Sequence, residues 1–230
     1  MKPIIEDRTA EFYAEHEPPQ WDGPPTRIIV HRDNTPSRNA TITGMIRYQI
    51  DSGTGSYHYI VKEGTVAQEV ADDRQGWHTK RADIARAKGY PTTDPYGKPR
   101  GDVRALGVCL IEQSARSADA LAASYDAIAG RIHVGWSPGT LSTGIDLIRY
   151  LMGKYDIPVS RIFGHSELDP DDRSYDPDKI LPMARLREML EGEREDAEPQ
   201  QIRRELRAAE SKMAEGFAEI RNLLRRLEAI

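Results

Sequence analysis

The chain lacks several things, and each absence narrows what it can be. It has one cysteine, Cys109, in 230 residues, so no internal disulfide can form. No apolar run is long enough to span a bilayer. The first residues, Met1-Lys2-Pro3-Ile4-Ile5-Glu6-Asp7-Arg8, lack the apolar core of a secretory signal. The expectation is a protein made and first held in the cytoplasm. An excess of positive charge is lacking too: 32 Lys and Arg against 37 Asp and Glu leave a net charge of −5. That argues against a strong nucleic-acid field, and no nucleic-acid partner is expected. No internal repeat is visible. What is there, 38% hydrophobic and 30% charged residues, suits a soluble chain with a modest core, organised as one main domain plus an appendage.

Residues 1–26 are polar, end in Pro24-Pro25, and read as an extended lead-in. Arg27 to His31 is the first strand, apolar on consecutive positions as a buried strand should be. Thr41 to Ile50 reads as a helix with Ile42, Met45, Ile46 and Ile50 on one side. Tyr57 to Lys62 and Val66 to Val70 alternate around a Glu63-Gly64-Thr65 turn, a hairpin signal. Residues 79–104, rich in Pro and Gly, read as a long functional or mobile loop. Leu106 to Ile111 is another buried strand, and alanine-rich Ser117 to Ala129 predicts a helix. Ser137-Pro138 caps a helix carrying Leu141, Ile145, Ile148 and Leu151 up to Gly153. Arg161-Ile162-Phe163 is a short strand ending at Gly164, and Pro177 to Leu190 reads as the last helix of the domain.

Three residues at strand or loop ends carry metal-binding chemistry. His31 ends its strand, His165 follows Gly164, and Asp176 comes eleven positions later in Asp176-Pro177. Imidazole nitrogen and carboxylate oxygen are good zinc ligands, and three of them leave one position open, the pattern of a catalytic zinc. The competing reading is histidines that merely satisfy hydrogen bonds.

Four stretches in order carry a family resemblance. They are Ile29-Val30-His31 with Thr35, Tyr57-His58-Tyr59-Ile60-Val61 with Glu63-Gly64-Thr65-Val66, Gly76-Trp77-His78 with Leu106-Gly107-Val108-Cys109-Leu110, and Gly164-His165-Ser166-Glu167 through Asp176-Pro177. Over roughly residues 27–190 the chain resembles the type 2 N-acetylmuramoyl-L-alanine amidases, related to peptidoglycan recognition proteins, and most of all short bacteriophage endolysins. The resemblance implies an α/β fold, a mixed central sheet flanked by helices. It implies Zn2+ held by His31, His165 and Asp176, and cleavage of the amide between N-acetylmuramic acid and L-alanine in peptidoglycan. An enzyme of that kind, made in the cytoplasm, acts on the cell wall after release.

By the same likeness Tyr57 assists catalysis, the alternative being a strand tyrosine packed on the core. His78 and Thr35 fall at substrate-binding positions, His78 with simple packing as its alternative. Many family members carry a lysine two residues before the third ligand. Here that position is Ser174, and Arg173 beside it is the candidate replacement. Other members use a glutamate where this chain has Cys109, which reads as a small buried residue. His58 alternates with Tyr57 and reads as structural, while His16 and His133 read as surface residues. Other readings are a peptidoglycan-binding recognition module without catalysis, a scaffold protein, and a different zinc hydrolase such as a peptidase.

After a polar linker at 191–199, residues 200–230 read as a long amphipathic C-terminal helix. Leu206, Met213, Ile220 and Leu227 fall seven apart, and Ile202, Ala209, Leu223 and Ile230 fit a second heptad position. Such a stripe needs cover. The candidates are a second copy of the chain, the amidase domain, or a membrane surface met by Arg203, Arg204, Arg207, Arg221, Arg225 and Arg226.

Overall fold

The computed structural model describes residues 3–13, 17–32, 41–53, 55–111, 124–126, 131–133, 136–173, 176–177 and 181–192, with backbone alone over 124–126, 131–133 and 172–173. Thr35, Ser174, His16, residues 193–199 of the expected linker and the expected C-terminal helix lie outside these residues. Among the described residues no helix is long and apolar enough to cross a membrane.

A six-stranded mixed sheet organises the chain. Its strands are β1 (Ile5–Asp7), β2 (Arg27–Arg32), β3 (Tyr59–Lys62), β4 (Thr65–Gln68), β5 (Ala105–Leu110) and, after a two-stranded antiparallel sheet of β6 (Ser124–Asp126) and β7 (Arg131–His133), β8 (Ile162–Gly164). The order is β1-β4-β3-β5-β2-β8, parallel except for the β3–β4 hairpin. Both β2 and β5 are buried along their whole length, as strands covered on two faces must be. Alternation sorts their side chains. Ile28, Val30, Leu106, Val108, Leu110 and Val61 face the main core, which is closed by Ile145, Leu147, Ile148 and Leu151 of α4 (Pro138–Tyr155) and by Leu186 and Leu190 of α6 (Met183–Glu191). On the opposite face Ile60 and Cys109 pack under Met45 and Ile46 of α2 (Ile42–Ser52). His31 is out of phase with Ile28 and Val30 by one residue, which turns it towards this second face.

The helices start where their caps permit. The Thr41 hydroxyl accepts the amide of Gly44 at 3.0 Å, and α2 stops at Gly53 in a left-handed turn with φ 60°. Ser137 accepts the Thr140 amide at 3.0 Å ahead of Pro138, and α4 runs past Gly153 to a left-handed Asp156.

Several expectations need correction. The lead-in is more than extended chain: β1 adds a parallel edge strand to β4, and α1 (Thr9–Tyr13) buries Phe12. Compactness divides the chain after Leu190, with residues 1–190 forming one unit. The 79–104 segment holds a helix, α3 (Ala82–Ala87), and Asp94 accepts the amides of Tyr96 and Lys98 at 2.9 and 2.7 Å. The helix expected over 117–129 is contradicted at Ser124–Asp126, which pair as β6 with Arg131–His133; Ser, Tyr and Asp are weaker helix formers than the alanines around them. The last helix begins at Met183, after Pro182, not at Pro177.

Candidate active site

The register of three parallel strands builds the site. Val30 lies beside Gly164 and His31 beside Cys109, so His31 and His165 emerge together at the carboxyl ends of β2 and β8. Ligand sites in such sheets form at these strand ends. The ring centroids of His31 and His165 are 4.6 Å apart. Asp176 returns beneath them: its backbone oxygen accepts the Ser166 amide at 2.7 Å, and its Oδ1 accepts the Arg32 amide at 2.7 Å. With Oδ1 so held, Oδ2 turns to the imidazoles, 3.2 Å from His165 Nδ1 and 3.6 Å from His31 Nδ1. All three residues are buried. Burial alone would raise the Asp176 carboxyl, but its hydrogen bonds with His165 and His31 outweigh that and hold it below the ordinary carboxylate range.

A third histidine fixes the chemistry of the first. His78 Nε2 lies 3.0 Å from the Ala105 carbonyl, and its Nδ1 lies 3.0 Å from His31 Nε2. Burial first, then the neighbouring His31 and His58, holds the His78 pKa well below the usual histidine range, so its ring is neutral. A neutral ring facing a carbonyl with Nε2 must carry its proton there, and its Nδ1 must accept. His31 Nε2–H is then the donor, which leaves His31 Nδ1 as the nitrogen that faces Asp176 Oδ2. Ligand sets of this kind are oriented by such outer partners. His78 is itself fixed from behind, because buried Asp102 accepts the amides of His78 and Thr79 at 2.9 and 3.0 Å. Of the two readings of His78, substrate groove and simple packing, its geometry favours the second: it is 7% exposed, and both ring nitrogens are engaged.

Glycine makes room for these rings. A Cβ on Gly107 would stand 2.7 Å from His78 Cδ2, and one on Gly76 would stand 2.7 Å from His58 Cε1. His58 is structural, as expected. Its Nδ1 accepts the Gly107 amide at 3.0 Å, and its Nε2 donates to the Arg74 carbonyl at 2.9 Å. Burial lowers its pKa.

Tyr57 stands just before β3, half-buried, with its ring 4.9 Å from that of His31. Arg173 is the last residue of α5 (Pro170–Arg173), in the loop between His165 and Asp176. Cys109 is buried among Met45, Ile46 and Ile60. Sequence reasoning missed Glu69, which is fully buried behind Tyr57 and accepts its amide at 2.8 Å. It also missed Asp102. A glycine inside a strand, here Gly107, was the available signal of a close approach.

His31, His165 and Asp176 are the group of residues able to hold a metal ion among those described, with ligand atoms within 4.8 Å of one another. Tetrahedral zinc with bonds of about 2.0–2.2 Å holds its ligands roughly 3.3–3.6 Å apart, close to the 3.2 and 3.6 Å seen around Asp176 Oδ2. The donor set therefore fits a divalent ion that accepts nitrogen and oxygen together.

None of the curated proteins matches the chain. The catalytic domain of XlyA is similar in structure, with a TM-score of 0.55 at 16% identity over 81% of this chain and 99% of that one. A mutant endolysin from Bacillus subtilis superposes with a TM-score of 0.54 at 17% identity, covering 82% of this chain and 99% of the other. The PlyG catalytic domain gives 0.51 at 17% identity, over 82% and 94%. These likenesses show a shared fold. The family described as N-acetylmuramoyl-L-alanine amidase matches residues 21–179, a span that holds all three ligand candidates, and the chain belongs to that family.

Proposed function

We propose that the protein is a zinc-dependent amidase that cleaves the bond between N-acetylmuramic acid and L-alanine in peptidoglycan, acting as a phage-type endolysin. The observation that carries this reading is the convergence of His31, His165 and Asp176 Oδ2 in a chain of this family. The endolysin role is supported by the likeness to the Bacillus subtilis endolysin. The place of work follows from the substrate: the cell wall, reached after release.

In this reading His31, His165 and Asp176 hold Zn2+. When bound, zinc supplies Lewis-acid chemistry, lowering the pKa of water towards about 7 and polarising a carbonyl. The chain's own residues do the rest. Asp176 is aimed by the Arg32 amide, and His31 by the His78 relay. Tyr57, beside His31, donates its phenolic proton as a hydrogen bond to the charge that develops on the amide oxygen. Arg173, permanently charged and in the loop between two ligands, takes the place of the family lysine. Thr35 contacts the substrate.

Purified peptidoglycan sacculi test the reading. The expected products carry new L-alanine N-termini and no new reducing sugar ends. New reducing ends would indicate a glycosidase, and other amino termini a peptidase. Tight binding with no product would indicate a recognition module.

A further inference from the structure

Glu69 is a buried carboxyl that the proposed chemistry does not use, and its surroundings are specific. The β3–β4 ladder ends at Tyr59 opposite Gln68. Beyond it the Glu69 amide donates to the His58 carbonyl at 3.0 Å, and Glu69 Oε2 accepts the Tyr57 amide at 2.8 Å. The carboxyl thus closes the hairpin where the backbone pairing has stopped, and it satisfies an amide that would be costly to leave unpaired. Its other contact reaches α2. With the Gln49 amide oriented so that its nitrogen faces the carboxyl, that nitrogen lies 2.7 Å from Oε1 and 3.1 Å from Oε2. Glu69 is 0% exposed, so it cannot touch substrate.

We infer that Glu69 is a positioning residue: braced by Gln49 of α2, its carboxyl fixes the backbone of Tyr57 and so the placement of the phenol beside His31. This rests on the catalytic role proposed for Tyr57. Tyr57 lies outside regular β3, on a segment whose position is set by a few hydrogen bonds, and the Glu69 bond is the one made at Tyr57's own amide. Burial pushes the carboxyl up to about 8; the Tyr57 amide opposes this, and Glu11 adds to it. Glutamine is its near-isosteric mimic and keeps an oxygen that can accept the Tyr57 amide. Small displacements of a catalytic group cost rate without costing substrate affinity, which separates positioning from general support of the fold.

The test is a double-mutant cycle on the zinc-loaded full chain, with kcat, KM and bound zinc measured for each variant. Glu69→Met removes the acceptor and keeps the volume. The expected result is a roughly tenfold or greater loss in kcat with KM and zinc content unchanged. Glu69→Gln, which keeps an acceptor for the amide, restores most of the rate. In a Tyr57→Phe background Glu69→Met costs little more, because it acts through the missing hydroxyl. Should Glu69→Met fold poorly, Gln49→Met removes only the brace and is expected to lower kcat severalfold, again without effect in the Tyr57→Phe background. Additive losses, or a loss shared by KM and zinc content, would overturn the inference. So would full activity in Glu69→Met, or in Gln49→Met where it stands in. If Tyr57→Phe alone leaves kcat unchanged, the role proposed for Tyr57 fails first, and the inference falls with it.

Discussion

Replacing Gly107 with alanine perturbs the layer behind the proposed metal ligands without altering any of them. The added Cβ would stand 2.7 Å from His78 Cδ2 and 2.9 Å from both Cγ and Nε2. Carbon atoms in contact prefer about 3.5–4.0 Å, so the imidazole must retreat by about 1 Å. It cannot do so and keep both hydrogen bonds, to the Ala105 carbonyl and to His31 Nε2, which are each 3.0 Å now. The overpacking should cost about 1–3 kcal/mol of stability. Loss of the outer partner of His31 should weaken metal binding by roughly 10–100-fold. Competition of the protein against a chromophoric chelator for zinc measures the second effect, and urea unfolding the first. Gly153→Ala is the control, since nothing lies within 4 Å of a Cβ there; it should bind zinc as wild type does. If Gly107→Ala binds zinc with wild-type affinity, the His78–His31 relay does not orient the ligand and the reasoning fails.

Three further outcomes are expected. Arg173→Ala should slow turnover by about 2.7–4 kcal/mol in barrier, the usual weight of one oxyanion partner, while zinc content stays at wild type; an equal loss from Ser174→Ala would show that the loop positions are misassigned. Because the Glu69 carboxyl stays protonated to about pH 8 when folded but ionises near 4.5 when unfolded, the unfolded state binds fewer protons across that window. Stability should therefore fall as pH rises through it, by about 1.4 kcal/mol per unit. Glu69→Gln removes this slope, so urea unfolding at pH 5 and pH 8 should show the variant gaining on wild type at the higher pH; a gap that does not change with pH would contradict the buried neutral carboxyl. If the C-terminal stripe self-associates, light scattering should find an oligomer for the full chain and a monomer for a chain ending near Gly192, and a monomeric full chain at high concentration would remove that proposal.

The parts legible in the sequence were those written locally. The apolar run Arg27 to His31 announces a buried strand with a histidine at its end, and Ser137-Pro138 announces a helix start. The ligand trio was legible as residue types and as a family likeness. What brings it together, the parallel register of β8 on β2 and of β2 on β5, is a long-range fact. The two readings of His78 could not be separated for the same reason: its place depends on Gly107, a strand residue far along the chain, leaving space for the ring. Glu69 was missed because a charged residue in an alternating hairpin reads as solvent-facing, whereas this one is covered. The N-terminal strand was missed because three residues, Ile5–Asp7, carry no periodicity; the neighbouring β4 supplies their partners.

The central claim is that His31, His165 and Asp176 hold one catalytic zinc. Elemental analysis of the purified full chain, run beside release of L-alanine N-termini from sacculi, tests it most directly. The account predicts about one zinc per chain and loss of activity on chelation with recovery on adding zinc. It also predicts loss of both zinc and activity in Asp176→Ala. Full amidase activity in rigorously metal-free protein, or wild-type zinc content in Asp176→Ala, would contradict it.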